Sequence, residues 1–256
     1  MPNLVVIAGP NGAGKSTAAP LLIGKRLGIA EFVNADVIAA GLSAFSPESV
    51  AIQAGRLMLK RLKELAVSGA NFAFETTLAS RSFAPWIAGL RAERGYRFHL
   101  VYLWLPDAEQ NVQRVAERVR LGGHSVPADV IRRRYVRGLE NFLSLYRPIA
   151  DSWAVYDNAP QVARLIASRE LDGVETIHEP ELWKMIEKAK QAREQERPYE
   201  ASAGAGGIMG VPIEEITAAL IAAGREARRR HKALGHQIII WRDGKIVVVP
   251  PEQIEI

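Results

Sequence analysis

Directly after the apolar run Leu4 to Ala8 the chain reads Gly9-Pro10-Asn11-Gly12-Ala13-Gly14-Lys15-Ser16-Thr17, and a helical pattern follows. This matches G-x-x-x-x-G-K-[ST] in full, in the strand-to-helix setting that the pattern requires. No other feature constrains the fold as strongly. A strand must end in a glycine-rich turn whose backbone N–H groups wrap an anion, and a helix must start there with its positive end on the same anion. Gly9, Asn11, Gly12, Ala13, Gly14, Lys15, Ser16 and Thr17 are therefore the candidate nucleotide-binding residues. Lys15 is expected to reach the β- and γ-phosphates and the Ser16 hydroxyl to hold Mg²⁺. A glycine-rich turn with a chance lysine is the competing interpretation, and the complete match in context argues against it.

Further apolar runs recur along the chain at Phe72 to Phe74, His99 to Leu105, Trp153 to Tyr156 and Arg164 to Ala167. Between the first two strand-like runs, Ser46-Pro47-Glu48 reads as an N-cap, an N1 proline and an early acid. Val50, Ala54, Leu57, Met58, Leu62 and Leu65 then fall at helical spacing, and Gly69 follows the end. Strands that are apolar throughout, alternating with helices, predict an α/β fold: a P-loop kinase-type parallel sheet with helices on both faces. Such sheets bind ligands at the carboxyl ends of their strands, so the residues just after each run are the ones to read.

The type of P-loop protein is read by elimination. A transporter-type ATPase needs L-S-G-G-Q and a strand ending in Asp-Glu, a GTPase needs N-K-x-D, and the sequence contains none of these. A nucleotide-dependent small-molecule kinase remains, with ATP and Mg²⁺ as expected cofactors and a small molecule as expected substrate. With no cysteine in 256 residues, disulfides, thiolate zinc sites and cysteine nucleophiles are excluded. The net charge of +5 suits a handler of anions without separating nucleotides from nucleic acid.

A kinase also needs a carboxylate by the attacking hydroxyl and cationic groups that close on the transferring phosphoryl. Asp36, in Phe32-Val33-Asn34-Ala35-Asp36, follows a short apolar stretch where a second strand would end. General base, Mg²⁺-shell ligand and helix N-cap are all open to it on position alone. Glu75 closes the run Phe72-Ala73-Phe74 beside Thr76 and Thr77, suiting substrate binding, a metal-bound water or a capping turn. Arg81 nearby is a candidate partner for an anionic substrate group. From Arg118 to Arg137 the chain carries Arg118, Arg120, Arg132, Arg133, Arg134 and Arg137 around Gly122-Gly123-His124-Ser125-Val126-Pro127. Basic helices hinged on a Gly-Gly loop describe a lid, formed by Arg118, Arg120, His124, Arg133 and Arg134. A solvated basic face and a nucleic-acid patch are the competing readings, and the P-loop favours the lid.

Together, Gly9 to Thr17, Asn34-Ala35-Asp36, Phe72-Ala73-Phe74-Glu75-Thr76-Thr77-Leu78 and Arg118-Val119-Arg120-Leu121-Gly122-Gly123-His124-Ser125-Val126-Pro127 resemble the zeta-toxin family of P-loop kinases. The resemblance covers roughly residues 1 to 190 and is nearer to the shorter bacterial branch. It implies ATP-dependent phosphorylation of a hydroxyl on a nucleotide sugar, with UDP-N-acetylglucosamine the characterised substrate of the best-known members. By the same resemblance Asp36 is the base, Lys15 and Arg118 stabilise the phosphoryl group, and Glu75 with Thr77 lies along the substrate. Two departures stand out. A second lid arginine of founding members falls near His124 here, so Arg120 or one of Arg132 to Arg134 would have to substitute. An acid of their substrate helix falls in the stretch Leu57 to Leu59, where this chain has only apolar residues.

The remainder divides the chain into a kinase domain over 1–197, a flexible linker over 198–208 and a small segment over 209–256. The linker reads Ala201-Ser202-Ala203-Gly204-Ala205-Gly206-Gly207. In the last segment Ile213, Ile216, Leu220 and Ala227 give a helical stripe, and Arg242-Asp243-Gly244-Lys245 reads as a hairpin turn. One helix and one hairpin bury too little core to stand alone, so this tail is expected to pack on something. It resembles the short helix-plus-hairpin proteins often encoded beside kinases of this branch. An antitoxin-like, inhibitory partner held in cis is the hypothesis, with Arg228 to Lys232 and Trp241 over the cleft. An extension of the sheet and a nucleic-acid contact are its rivals, the latter disfavoured. The chain reads as cytoplasmic, without a membrane partner. Alternatives to a toxin kinase are a housekeeping small-molecule kinase and an ATP-switched binding module.

Overall fold

A computed structural model describes residues 1–191 and 208–256. Residues 198–207 of the expected linker lie outside the described residues. Seven strands form the main sheet: β1 (Asn3–Ala8), β2 (Glu31–Val33), β3 (Phe72–Thr76), β4 (Arg97–Trp104), β5 (Ser152–Asp157), β6 (Arg164–Arg169) and β7 (Glu175–Ile177), in the order β2-β3-β1-β4-β5-β6-β7. The pairs β2–β3, β3–β1, β1–β4 and β4–β5 are parallel, as expected. The pairs β5–β6 and β6–β7 are antiparallel. The short connection from Asn158 to Ala163 accounts for the reversal, because a parallel return needs a crossover of about a dozen residues or more. All three residues of β7 are exposed, so no apolar run announces it.

Both faces of the sheet are covered. Along β1, Leu4 and Val6 join one hydrophobic cluster while Val5 and Ile7 join another, the alternation that a pleated strand imposes. The first cluster packs beneath α3 (Ala51–Val67), α4 (Phe83–Arg94), α6 (Ala128–Asn141) and α7 (Pro180–Gln191). Trp183 of α7 stacks on Trp153 with ring centroids 5.7 Å apart, and the Arg147 guanidinium lies 5.1 Å from each ring. The second cluster packs beneath α1 (Lys15–Ala19) with its continuation Pro20–Arg26, and beneath α8 (Ile213–Ala233). The helix widens to π-type turns from Pro20 onward, since proline lacks the N–H that an α-helical turn requires there.

The tail therefore packs on the domain, as its size demanded. Ile208, Ile213, Ile216 and Leu220 are buried in the second cluster. The hairpin β8 (Ile238–Arg242) and β9 (Lys245–Val249) is a separate two-stranded sheet, not an extension of the main one. Its turn has positive φ at Asp243 (51°) and Gly244 (75°), the two left-handed positions of a type I′ hairpin. The expected cap at Ser46 is corrected: its side chain makes no capping bond, and a 3₁₀ turn over Pro47–Val50 precedes α3. Ser49 instead donates its hydroxyl to the Ser46 carbonyl at 2.7 Å, tightening that turn. Among the described residues no single helix is long and apolar enough to cross a membrane.

Candidate nucleotide and phosphoryl-transfer site

The glycine-rich turn leaves the carboxyl end of β1, the strand on either side of which the chain places its later parallel strands. Gly9 has φ of 139°, and a Cβ there would stand 2.1 Å from the Leu103 carbonyl oxygen of β4, so only glycine fits. Gly12 (80°) and Gly14 (89°) take left-handed conformations that turn the backbone around the loop. Two asparagines brace it from outside. Asn111 of α5 (Ala108–Arg120) donates to the Asn11 carbonyl at 2.6 Å, and Asn158, just past β5, donates to the Ala13 carbonyl at 2.8 Å. Sequence reading missed both; only the rule about strand ends pointed towards Asn158.

Lys15 is buried, 6% exposed, with Nζ donating to the Pro10 carbonyl at 2.9 Å and standing 3.7 Å from Glu75 Oε1. Burial holds its ammonium below the usual lysine value, opposed by the charges of Glu75 and Asp36, while Arg118 lowers it further. Glu75 Oε2 accepts from Ser16 Oγ at 2.8 Å and from Asn34 Nδ2 at 2.7 Å. Asn34, not Asp36, caps α2 (Ala35–Leu42): its Oδ1 accepts from the Asp36 and Val37 N–H groups. The cap interpretation of Asp36 is thereby corrected, and its exposed carboxylate lines the same cavity as Lys15, Ser16, Thr17 and Glu75. Thr76 and Thr77 each accept a backbone N–H two residues on, closing a turn rather than capping α4. Thr77 and the exposed Arg81 do not line the cavity.

Of the candidate lid residues, Arg118 lines the cavity. It donates to the His124 carbonyl at 2.9 Å, while its Nε has no partner. Gly123 packs on it so closely that a Cβ would stand 2.6 Å from Arg118 Cγ. Arg120 turns outward to Glu117, and Arg132 holds Glu109 with two bonds of 2.6 and 2.8 Å. His124 Nδ1 lies 3.5 Å from Glu48 Oε2. His124, Arg133 and Arg134 do not line the cavity. A different arginine does: Arg114 of α5, which donates to the carbonyls of Asn158, Ala159 and Ile239 at 2.9, 2.9 and 3.0 Å. Burial pushes its guanidinium down to about 10, against the pull of Asp157.

The cavity holds about 320 Å³, and its wall includes α8 and β8 as well as the P-loop. Arg228 of α8 donates to the Gln161 and Glu255 carbonyls, and Gln237 donates to Glu117 at 3.0 Å. Trp241 meets the site through its backbone N–H on the Ala159 carbonyl, 3.1 Å away. The donor set fits a nucleoside triphosphate with Mg²⁺. A glycine cradle that a Cβ would fill faces a buried ammonium, and an unpartnered Arg118 N–H stands at the cavity. Among the described residues no cluster of three or more His, Asp or Glu could cage a metal.

The sequence profile of the family described as an AAA domain matches residues 4–140. An uncharacterized protein of Haemophilus influenzae (strain Rd) is 28% identical over 131 residues, covering 51% of this chain and 91% of that protein. A chain in the crystal structure of AvrRxo1-ORF1:AvrRxo1-ORF2 with sulphate ions superposes with a TM-score of 0.61 at 20% identity over 73% of this chain. The match spans 63% of that chain's own length. The same complex with ATP gives 0.60 at 18% identity, covering 88% of this chain and 76% of the other. A structure from the PezAT chromosomal toxin–antitoxin system of Streptococcus pneumoniae gives 0.51 at 16% identity, covering 75% and 85%. These likenesses are of fold, a P-loop kinase-like sheet and loop.

Proposed function

The chain belongs to this AAA-domain family of P-loop proteins, and on that premise we propose that it is an ATP- and Mg²⁺-dependent kinase phosphorylating a hydroxyl of a small metabolite. A nucleotide sugar such as UDP-N-acetylglucosamine is the first acceptor to try. The observation that carries the reading is the joining of Lys15, Ser16 and Glu75 in one cavity with Asp36 and Arg118. Gly9 to Thr17 bind the phosphates. Asp36 takes the proton of the acceptor hydroxyl as its oxygen bonds to the γ-phosphorus and the β–γ bridge bond breaks, leaving ADP. Lys15 and Arg118 balance the charge spreading over the equatorial oxygens. Mg²⁺, when bound, neutralises phosphate charge; Ser16 would hold it, with Glu75 orienting the hydroxyl and a coordinated water. Arg120, His124, Arg133 and Arg134 belong to the proposal only as residues of a lid that closes further, and Thr77 and Arg81 as outer substrate contacts.

We divide the chain into a kinase domain (1–197), a linker (198–208) and a segment (209–256) that acts on the kinase in cis. The proposed setting is a cytoplasmic toxin of a toxin–antitoxin pair. The fold-level likeness to a structure from such a system supports it. So does the position of α8 and β8 on the wall of the cavity.

The test is transfer of γ-labelled phosphate by full-length protein to a panel of sugar nucleotides and other hydroxyl metabolites, with products weighed by mass spectrometry. Label in an acceptor, lost in Asp36→Asn, is the expected result. ATP hydrolysis indifferent to every acceptor and to Asp36→Asn would leave an ATP-switched binding module. Growth arrest that requires Lys15 separates a toxin from a housekeeping kinase.

A further inference from the structure

The sheet order places the two flanks of the P-loop in different chemical surroundings. Asp36 and Glu75 come from the β2–β3 flank, where the cavity wall is charged. On the β4–β5 flank the wall contains an aliphatic stretch. Pro160 follows β5, Leu220, Ala223 and Gly224 come from α8, and Ile238 and Ile239 come from β8. Pockets that hold flat organic groups are lined in this way, with a few polar atoms to fix orientation. Polar side chains stand among them. Arg114 is held by three carbonyls along this flank, Arg228 and Gln237 are held by hydrogen bonds of their own, and Gln161 carries a buried Nε2 with no partner. Gln161 itself is anchored through its carbonyl by Arg228. A donor left unsatisfied in a buried wall costs free energy unless an acceptor arrives.

We propose that α8 and β8 form the base-binding wall of the nucleotide pocket, so that the C-terminal segment is a component of the ATP site rather than a plug in it. The inference rests on the reading of the P-loop as the phosphate site and specifies how the tail regulates it. The purine lies against Leu220, Ala223 and Ile239, and the free Gln161 amide donates to a ring nitrogen. Gly224 matters because its missing side chain leaves the wall open: a Cβ there meets only Arg228 Nη1 at 3.5 Å and the Gln161 carbonyl at 3.8 Å, ordinary contacts. A larger side chain would project into the space for the base. Reciprocity then requires that bound nucleotide hold the tail in place by as much as the tail strengthens nucleotide binding.

The experiment compares ATP with inorganic tripolyphosphate, both with Mg²⁺, by titration calorimetry on full-length protein. Tripolyphosphate engages the P-loop but has no base. Gly224→Leu and Gln161→Leu are expected to weaken ATP by about tenfold and about threefold while leaving tripolyphosphate within about twofold, the size of a blocked apolar subsite and of one lost hydrogen bond. Gln161→Leu removes no bond that the fold uses, so it keeps the test decisive if Gly224→Leu fails to fold. Unchanged ATP affinity in both variants overturns the proposal. So does a gain in ATP affinity, which would make the tail a plug, or an equal loss for both ligands. Lys15→Ala is the separate control: if it leaves tripolyphosphate binding intact, the phosphate-site reading itself has failed.

Discussion

Ser16 Oγ donates to Glu75 Oε2 across 2.8 Å, joining the first turn of α1 to the end of β3. The bond fixes the hydroxyl proton away from the phosphates, so the lone pairs of Ser16 remain available to a cation. Glu75→Gln keeps the shape but loses the charge opposite Lys15. Turnover is expected to fall by about 10²–10³-fold, the usual scale for one electrostatic group at a transition state, with Mg²⁺-free nucleotide binding little changed. Steady-state kinetics across a Mg²⁺ titration, beside a binding isotherm in EDTA, is the check. Equal losses in both would make Glu75 a brace of the loop.

Arg118 is aimed by its neighbour. Because a Cβ at Gly123 would stand 2.6 Å from Arg118 Cγ and 2.9 Å from its carbonyl oxygen, Gly123→Ala has to push that side chain aside. Kinetics of Gly123→Ala and Arg118→Ala should both show kcat lowered far more than ATP affinity, since the guanidinium acts as charge spreads during transfer. A loss confined to KM would place Arg118 in ground-state binding.

Arg114 ties the tail to the domain. Arg114→Leu strips a donor from three carbonyls at once, those of Asn158, Ala159 and Ile239. The expected loss is about 3 kcal/mol, discounted from three full bonds because water can reach part of the opened site. Hydrogen exchange should quicken at Trp241, whose N–H rests on the Ala159 carbonyl, before it quickens at β1. Uniform acceleration would show that the tail and domain open together.

His99 gives the fold a pH limit. Its Nε2 donates to Asn3 Oδ1 at 3.0 Å and its Nδ1 accepts from the Ser152 hydroxyl at 2.8 Å, an arrangement that only the neutral ring can make. Burial lowers its pKa to about 4. The folded value lies below the unfolded one near 6.5, so the unfolded state binds the proton more tightly. Its stabilising effect is complete above pH 6.5 and is lost as pH falls through 4. The fall amounts to about 3 kcal/mol between those limits. Denaturant melts at pH 7 and pH 4 should show wild type losing that much more than His99→Gln; parallel losses would clear His99 of the effect.

The parallel part of the fold was legible because each buried strand is a continuous apolar run, and Lys15, Asp36 and Glu75 could be picked out as neighbours in one cavity because each closes or shortly follows a strand. The arginines of the lid were read by their density, which ignores direction. Residues two apart on a helix point about 200° away from each other, so Arg118 faces the cavity and Arg120 faces Glu117. Arg114 carried no signal, since its partners are backbone carbonyls from segments distant in sequence. β7 is equally silent, being short and exposed on all its residues. The role of Asn34 was hidden for a simpler reason: either Asn34 or Asp36 suits an N-cap, and only the observed backbone conformation of Asn34 decides between them.

The second hydrophobic cluster joins Ile7 and Leu22 to Ile216 and Leu220, residues from the two extremes of the described chain. Synthesis proceeds from the N-terminus, so the P-loop and β1 to β7 emerge before α8, which shares the cover of one face of their sheet with α1 and its continuation. Until α8 follows, the part of that apolar face which it covers stands open to water, to chaperones and to other copies of the chain. The same order of events delays the aliphatic wall beside the P-loop until α8 and β8 have followed the sheet. The loop and the wall beside it are thus assembled at two separate moments of synthesis.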